Sequence, residues 1–149
     1  MPPGVQPDAD YANRADLLTS DIPSEGTMTA RGVARVYSAL LGHVDGVSLV
    51  SPERLRAMAA ITFTGMDAVM DVPASWAYGY SPFRPDGHGR PGSVFGMVGM
   101  NGSAAYADID SGVAVAVMRN RFTIGDLHTA AAIDRAVHDT FADERTTKR

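Results

Sequence analysis

The sequence contains no cysteine. This absence excludes disulfides, thiolate metal ligands and a cysteine nucleophile together. Lysine is nearly absent as well, because Lys148 is the only lysine in the printed sequence. A Ser-x-x-Lys nucleophile needs a serine three positions before a lysine, and that position is occupied by Arg145. The chain therefore offers no serine–lysine pair of this kind for covalent catalysis.

Neither an excess of basic residues nor a long apolar run is present. The formal net charge is −4, and no basic stripe appears, so we expect no nucleic-acid partner. The longest apolar run, residues 113–118, is too short to cross a bilayer. Residues 1–15 lack the apolar segment of a secretory signal. We therefore expect a cytoplasmic protein with no membrane partner.

Metal-ligand patterns are also absent from the sequence. The four histidines, His43, His88, His128 and His138, form no HxH or HxxxH pair, and no carboxylate is placed to complete a metal site. We interpret them as residues that face solvent. The glycines around Phe95 precede a strand turn rather than a helix, so they do not form a phosphate-binding loop. We expect no metal and no cofactor.

Hydrophobic spacing predicts one helix early in the chain. Residues 1–25 have scattered prolines and charges without a sustained period, which predicts a coil arm. Thr27 or Thr29 can cap a helix that Gly42 ends. Its apolar positions recur at i, i+3, i+4, i+7 and i+8, which makes one buried stripe. The stripe comprises Val33, Val36, Tyr37, Leu40 and Leu41.

Two further helices are predicted. A hydroxyl that can cap, followed by a proline, marks the start of a short helix at Ser51-Pro52, which should bury Leu55 and Met58. The segment between Gly42 and Ser51 contains Gly-x-Ser around Ser48. The second glycine of a nucleophile elbow is missing there, so we treat the pattern as a chance match. Residues 126–141 predict the last helix. Its apolar stripe is Leu127, Ala130, Ile133, Val137 and Phe141.

Between these helices the period changes to that of strands. Trp76, Tyr78 and Tyr80 alternate with small residues, which predicts a strand with one aromatic face. Residues 82–92, rich in Gly and Pro, predict a hairpin-like loop. Residues 113–118 are apolar at every position, which predicts a strand covered on both faces. Further strands are predicted at residues 94–98 and 103–108, with turns at residues 100–102 and 110–112. The fold class is α+β, with an antiparallel sheet of three or four strands flanked by helices.

Several segments, in order, resemble one family. The segments are Ile22-Pro23-Ser24-Glu25-Gly26, a TAR-x-x-AR helix at residues 29–35, DG-x-x-L-x-SPE at residues 45–53, Phe95-Gly96-Met97-Val98-Gly99 with the Asn-Gly-Ser at residues 101–103, and a hairpin at residues 107–121. Together they are similar to the carboxy-terminal part of serine β-lactamase-related esterases and penicillin-binding-protein-like hydrolases. This resemblance implies that residues 26–149 form part of a domain of the β-lactamase/transpeptidase-like fold.

The resemblance also implies a site. In that family the strand with Lys-Thr-Gly or His-x-Gly lines one wall of the active site, and here Met97-Val98-Gly99 occupies the motif. The amide of the next residue, Met100, would donate to the oxyanion hole, while Gly99 leaves room for a substrate carbonyl. Met97 replaces the usual His or Lys with a thioether, which is only a weak acceptor. A match of Tyr11-Ala12-Asn13 to the family's Tyr-x-Asn element is too short to be specific.

Two hypotheses follow for function. The first is a truncated serine hydrolase fragment that lacks the Ser-x-x-Lys nucleophile and is inactive alone, since a covalent acyl-enzyme requires that serine. Its substrate would be a small ester or amide, bound only when an amino-terminal half completes the site. The second is a non-catalytic binding or assembly module that pairs with a missing half or self-associates. A homo-oligomer would form through a sheet edge left unpaired, since such edges are sticky.

Overall fold

The structure is a computed structural model that describes residues 8–19, 26–121 and 123–147. None of the helices in these ranges is both long and apolar enough to cross a membrane. The architecture is α+β with antiparallel sheets, as the sequence predicts. The described elements are α1 (Ala9–Ala12), α2 (Ala15–Leu18), α3 (Ala30–Leu40), α4 (Pro52–Ala59), β1 (Phe63–Asp67), β2 (Val72–Trp76), β3 (Val94–Val98), β4 (Ala104–Asp108), β5 (Val113–Val117) and α5 (His128–Thr147).

The described part of the predicted coil arm is not all coil. It contains the one-turn helices α1 and α2. The Asp8 carboxylate caps α1 by accepting from the Tyr11 N–H at 2.8 Å. A single capped turn needs only local hydrogen bonds, so a search for hydrophobic periodicity does not detect it. The boundary between an arm and a domain at residue 25 stays a prediction.

Helices α3 and α4 begin at the predicted caps. The Thr29 hydroxyl oxygen accepts from the Gly32 N–H, and that of Ser51 accepts from the Arg54 N–H, both at 3.1 Å. Each bond satisfies one of the amide donors that a helix leaves free at its start. The predicted stripe of α3 is only partly buried, since Val33 is 8% exposed whereas Val36 is 54% exposed.

The main sheet has the order β3-β4-β5, with antiparallel neighbours throughout. Because side chains alternate across a sheet, cross-strand partners share a face. Phe95 lies opposite Ala107, which lies opposite Ala114, on one face. Gly96, Tyr106 and Val115 form the corresponding row on the other face. The three strands and both predicted turns are confirmed to within one residue.

The face with Phe95 carries the apolar core. Phe95 packs with Leu55 and Ala59 of α4 and with Ala107. Two tyrosine rings contact the Phe95 ring, that of Tyr80 edge-on at a centroid distance of 5.5 Å and that of Tyr37 tilted at 5.8 Å. Such aromatic pairs add about 0.5–1.5 kcal/mol beyond the area they bury. Helix α3 packs on β4 and β5 at the same face.

Helix α5 covers the opposite face. The Tyr106 hydroxyl donates to the carboxyl of Asp134, which lies in the middle of α5 and is fully buried. The expectation of layers on both sides of the sheet is therefore confirmed. The prediction that residues 113–118 are buried on both faces is wrong, because β5 is the edge strand of the sheet and its five residues are half-buried.

The strand predicted from the aromatic alternation of Trp76, Tyr78 and Tyr80 is wrong. Trp76 ends β2, and residues 78–80 form a bend. Strand β2 instead pairs with β1 in a separate two-stranded hairpin, with Phe63 opposite Trp76. The sequence analysis missed this hairpin because its strands contain a glycine, a proline and few alternating apolar positions.

Candidate active-site strand

The predicted site residues lie together at the carboxyl end of β3. In the first half of the strand, Gly96 donates to the Ser81 carbonyl at 3.1 Å, and the Ser81 N–H donates to the Gly96 carbonyl at 2.7 Å. These two bonds lie at the strand edge opposite β4. Backbone groups alternate in direction along a strand, so those of Val98, two residues on, point to the same outer edge.

A tight turn follows β3 and carries Met100. The Gly99 N–H donates to the Ser103 carbonyl at 2.8 Å, and the Gly102 N–H donates to the Gly99 carbonyl at 2.9 Å. The Met100 carbonyl accepts from the Gly125 N–H at 2.8 Å. The Met100 N–H has no hydrogen-bond acceptor among the described residues. The Met100 N–H is therefore an amide donor that the hydrogen bonds of the turn do not use.

Side chains contribute little polar chemistry at this end of the strand. The Met97 side chain is 42% exposed and that of Met100 is 52% exposed, while Val98 is half-buried. None of the three carries an ionisable group. Chemistry at this edge must therefore come from the backbone amides or from groups brought to it from elsewhere.

Gly96, in the same motif, has a packing role. A Cβ atom at this position would lie 2.6 Å from the Tyr106 Cα and would overlap the Ala105 carbonyl. Both obstacles belong to β4 and cannot move without breaking the sheet. A side chain is thus excluded at position 96 by the close approach of β4.

Arg119 and Asp126, which sequence reasoning missed, adjoin the Met100 turn. The Arg119 guanidinium donates to the Asn101 carbonyl at 3.0 Å and to the Asp126 carboxylate at 2.8 Å. Only 14% of the Arg119 side chain is exposed. No pattern in the sequence connects residues 100–102 with Arg119, because the turn joins them only in three dimensions.

A second missed cluster lies between the 82–92 loop, β4 and α5, where Arg84, Tyr106 and Asp134 are buried and His138 is exposed. It consists of Arg84, Asp86, Tyr106, Asp134 and His138. The Arg84 Nη1 lies 3.0 Å from the His138 Nδ1. Because a guanidinium can only donate, the His138 Nδ1 is the acceptor. A cavity of about 200 Å³ adjoins the cluster. Arg84 belongs to this loop and is nevertheless only 7% exposed.

The two carboxyl groups of this cluster have pKa values shifted in opposite directions. Burial raises the pKa of Asp134, and the neighbouring Asp86 raises it further. The pKa of Asp86 is lowered, because hydrogen bonds from Asp134 and His88 outweigh the effect of its own burial. Burial and the bond to Asp134 also raise the pKa of Tyr106. The Asp134 Oδ2 has no hydrogen-bond partner among the described residues and lies 3.7 Å from the Arg84 Nε.

The remaining candidates fall outside any shared site. All four histidines are exposed, as expected, although His88 and His138 also contact Asp86 and Arg84. Ser48 is exposed in the loop between α3 and α4, so the elbow reading has no support. At the amino terminus, the Asn13 side chain donates to the Ala9 carbonyl at 2.7 Å.

The three aromatic residues of the mispredicted strand have three different surroundings. Tyr80 belongs to the core and Tyr78 is 67% exposed. Trp76 lines an open groove of about 610 Å³ together with residues of the β1–β2 hairpin, Ser81 and Phe83. This groove lies near β3, because Ser81, which lines it, pairs with Gly96.

Comparisons with known proteins assign the class. The profile of the Beta-lactamase family matches residues 2–139. The chain belongs to this family.

The matched proteins include an esterase/beta-lactamase and a penicillin-binding protein homolog. The chain is 36% identical over 111 residues to the esterase/beta-lactamase LipL of Mycobacterium tuberculosis, covering 72% of this chain and 25% of that protein. A penicillin-binding protein homolog from Caulobacter crescentus is 33% identical with a TM-score of 0.57, covering 73% of this chain and 31% of that one. EstA from Arthrobacter nitroguajacolicus Rue61a, 23% identical with a TM-score of 0.58 over 76% of this chain and 33% of its own, shares the fold. The chain thus spans a quarter to a third of the length of these relatives.

Proposed function

We propose that this chain forms one wall of a serine hydrolase active site, with the outer edge of β3 as the substrate strand. The observation that carries the proposal is the Met100 N–H, which has no acceptor among the described residues. An amide donor held beside the reacting carbonyl stabilises the oxyanion that forms when a serine attacks an ester or amide. Val98 would hydrogen-bond the substrate alongside it, and Gly99 would leave room for the carbonyl.

The proposal includes inactivity of the chain by itself. No serine in the printed sequence stands three positions before a lysine. An oxyanion amide polarises a carbonyl but forms no acyl-enzyme, so the attacking serine and its base must come from elsewhere. Met97 further reduces the side-chain chemistry at the position where relatives of this kind use a polar or cationic group.

Replacing the matched segment of LipL with this chain tests whether the chain can form one wall of a hydrolase active site. We expect the folded chimera to hydrolyse a short-chain nitrophenyl ester, and the chain alone to hydrolyse neither that ester nor a chromogenic cephalosporin. Met100→Pro removes the N–H and should lower kcat about 10²–10³-fold, the usual effect of losing an oxyanion donor. Met97→Ala, the matched control, should retain activity within a few-fold.

Two results would contradict this function. One is a chimera that unfolds cooperatively on heating yet hydrolyses no ester. The other is turnover by the purified chain alone that a serine-directed phosphonate abolishes.

Strand β5 favours a second candidate, a module that self-associates. Its outer edge is unpaired among the described strands, and Val113–Val117 contains no charged residue. Unprotected edges of this kind pair with other strands. Light scattering of the purified chain distinguishes the two candidates. A dimer that Val117→Lys converts to a monomer supports self-association, whereas a monomer at all concentrations excludes it.

A further inference from the structure

The turn that presents the Met100 amide is held from two sides. Its own hydrogen bonds close it, including one from the Ser103 N–H to the Asn101 side-chain oxygen at 3.0 Å. From outside, the Gly125 N–H fixes the Met100 carbonyl at 2.8 Å. The peptide unit that follows Met100 therefore depends on the position of a segment 25 residues further along the chain.

Arg119 joins these two parts. Its Nη1 donates both to the Asn101 carbonyl at 3.0 Å and to the Asp126 backbone carbonyl at 2.8 Å. Its Nη2 donates to the Asp126 carboxylate at 2.8 Å, and its backbone N–H donates to the Ser103 hydroxyl at 3.1 Å. One planar guanidinium thus reaches the turn and the 125–126 segment in a fixed fork geometry.

The charge of Asp126 strengthens this arrangement. The hydrogen bond from Arg119 lowers the pKa of Asp126, which is therefore ionised at neutral pH. Hydrogen bonds between two charged groups are about twice as strong as neutral ones. Asp126 in turn holds the guanidinium in the orientation that reaches Asn101.

Gly102 shows how closely the turn packs on this pair. It has a φ of +79°, and a Cβ atom there would lie 2.6 Å from the Arg119 Nη1 and overlap the Asp126 backbone carbonyl. No space separates the turn from Arg119 and Asp126. A movement of either residue would therefore be transmitted to the turn.

We propose that Arg119 is a positioning residue that fixes the direction of the Met100 N–H through the Asn101 carbonyl and the 125–126 segment. Its catalytic meaning rests on the function proposed above. Arg119 itself need not touch a substrate, since its Nη1 and Nη2 donate to the turn and to Asp126. It converts an exposed turn at a strand end into a rigid donor, which is what electrostatic preorganisation requires.

Backbone NMR of the labelled chain tests the positioning role directly. In Arg119→Ala we expect the order parameter of the Met100 amide to fall from about 0.85 to below about 0.6. Hydrogen exchange of the Gly125 and Gly102 amides should accelerate at least about tenfold, with the exchange of Phe95 unchanged. Arg121→Ala, an exposed arginine in the same loop, should change none of these values.

Conservative variants keep the test valid if Arg119→Ala does not fold. Arg119→Lys retains the charge but not the fork, so the Gly125 amide should exchange at a rate between those of the parent chain and Arg119→Ala. Gly102→Ala should mobilise Met100 with Arg119 intact. The proposal is overturned if Met100 stays rigid in Arg119→Ala, or if all amides, including that of Phe95, accelerate by the same factor.

The LipL chimera supplies the catalytic readout. Arg119→Ala should lower kcat at least tenfold with KM nearly unchanged, because the donor acts mainly in the transition state. An inactive parent chimera would contradict the proposed function and leave the NMR result to decide the positioning role. An active chimera whose kcat is insensitive to Arg119→Ala would overturn the proposal made here.

Discussion

The two halves of β3 differ in surroundings although they belong to one five-residue strand. Val94 and Phe95 are fully buried, whereas Met97 is 42% exposed. In the first half, the outer edge is occupied by Ser81, and in the second half it is open. The buried half uses its side chains and backbone for folding. The exposed half retains backbone groups that folding does not need, and such groups are what a binding site can use.

A similar contrast separates the open end of β3 from the buried cluster around Asp134. Perturbed pKa values often mark functional sites, and here the pKa values of Tyr106 and Asp134 are both raised within the buried cluster. Burial is the main cause of both shifts. At the open end of β3, by contrast, the side chains of Met97, Val98 and Met100 carry no ionisable group.

The largest expected effect tests the buried half of β3. Phe95→Ala should reduce the free energy of unfolding by about 3–5 kcal/mol, because it removes the ring that contacts Tyr37 and Tyr80 and leaves a cavity. Urea titration at neutral pH measures this loss. Tyr78→Ala, an exposed aromatic residue, is the matched control and should cost much less. A loss below about 1 kcal/mol for Phe95→Ala would show that the two halves of β3 do not differ as described.

The Asp134 cluster should show an intermediate effect that depends on pH. Asp134→Ala leaves the buried Tyr106 hydroxyl without its partner, which costs about 1–3 kcal/mol. The raised pKa of Asp134 means that its stabilisation is present below the pKa of an unfolded aspartate and is lost as pH rises through the folded value. Asp134→Asn cannot ionise, so its stability should decline less as the pH increases.

Unfolding free energies between pH 5 and pH 9 measure this difference. The range ends below the raised pKa of Tyr106, so that the tyrosine does not titrate. Asp139→Asn, an exposed aspartate on α5, is the control and should follow the parent chain. Identical pH profiles for Asp134→Asn and the parent would contradict a raised pKa of Asp134.

The smallest expected effect lies at the exposed end of β3. Met97→Lys should change the free energy of unfolding by no more than about 0.5 kcal/mol, because the side chain is at the surface and leaves no cavity. Thermal unfolding at neutral pH is sufficient to measure it. A loss of more than about 2 kcal/mol would mean that Met97 is needed for folding, and the comparison between the halves of β3 would then fail.

The sequence predicted the elements whose signals are local. Thr29 and Ser51 mark the starts of their helices because they are capping residues. The strands and turns after residue 93 are predicted from apolar runs and glycines. The β1–β2 hairpin escaped prediction because its strands contain Gly65, Pro73 and few alternating apolar positions. The contacts of Arg84 with Asp134 and of Arg119 with Asn101 join residues distant in sequence. No period or spacing reveals such pairs.

Gly96 has a consequence for how motifs in this family are read. Any descendant that keeps Tyr106 under the sheet must keep a glycine at this position, whether or not the protein still hydrolyses anything. A substitution at position 97 that removes a reactive side chain meets no such steric obstacle. The packing of the sheet therefore preserves the first part of the motif, whereas residues 97–100 can change without a steric penalty of this kind. A sequence match at Phe95-Gly96 indicates common ancestry, whereas residues 97–100 indicate whether the site still performs its chemistry.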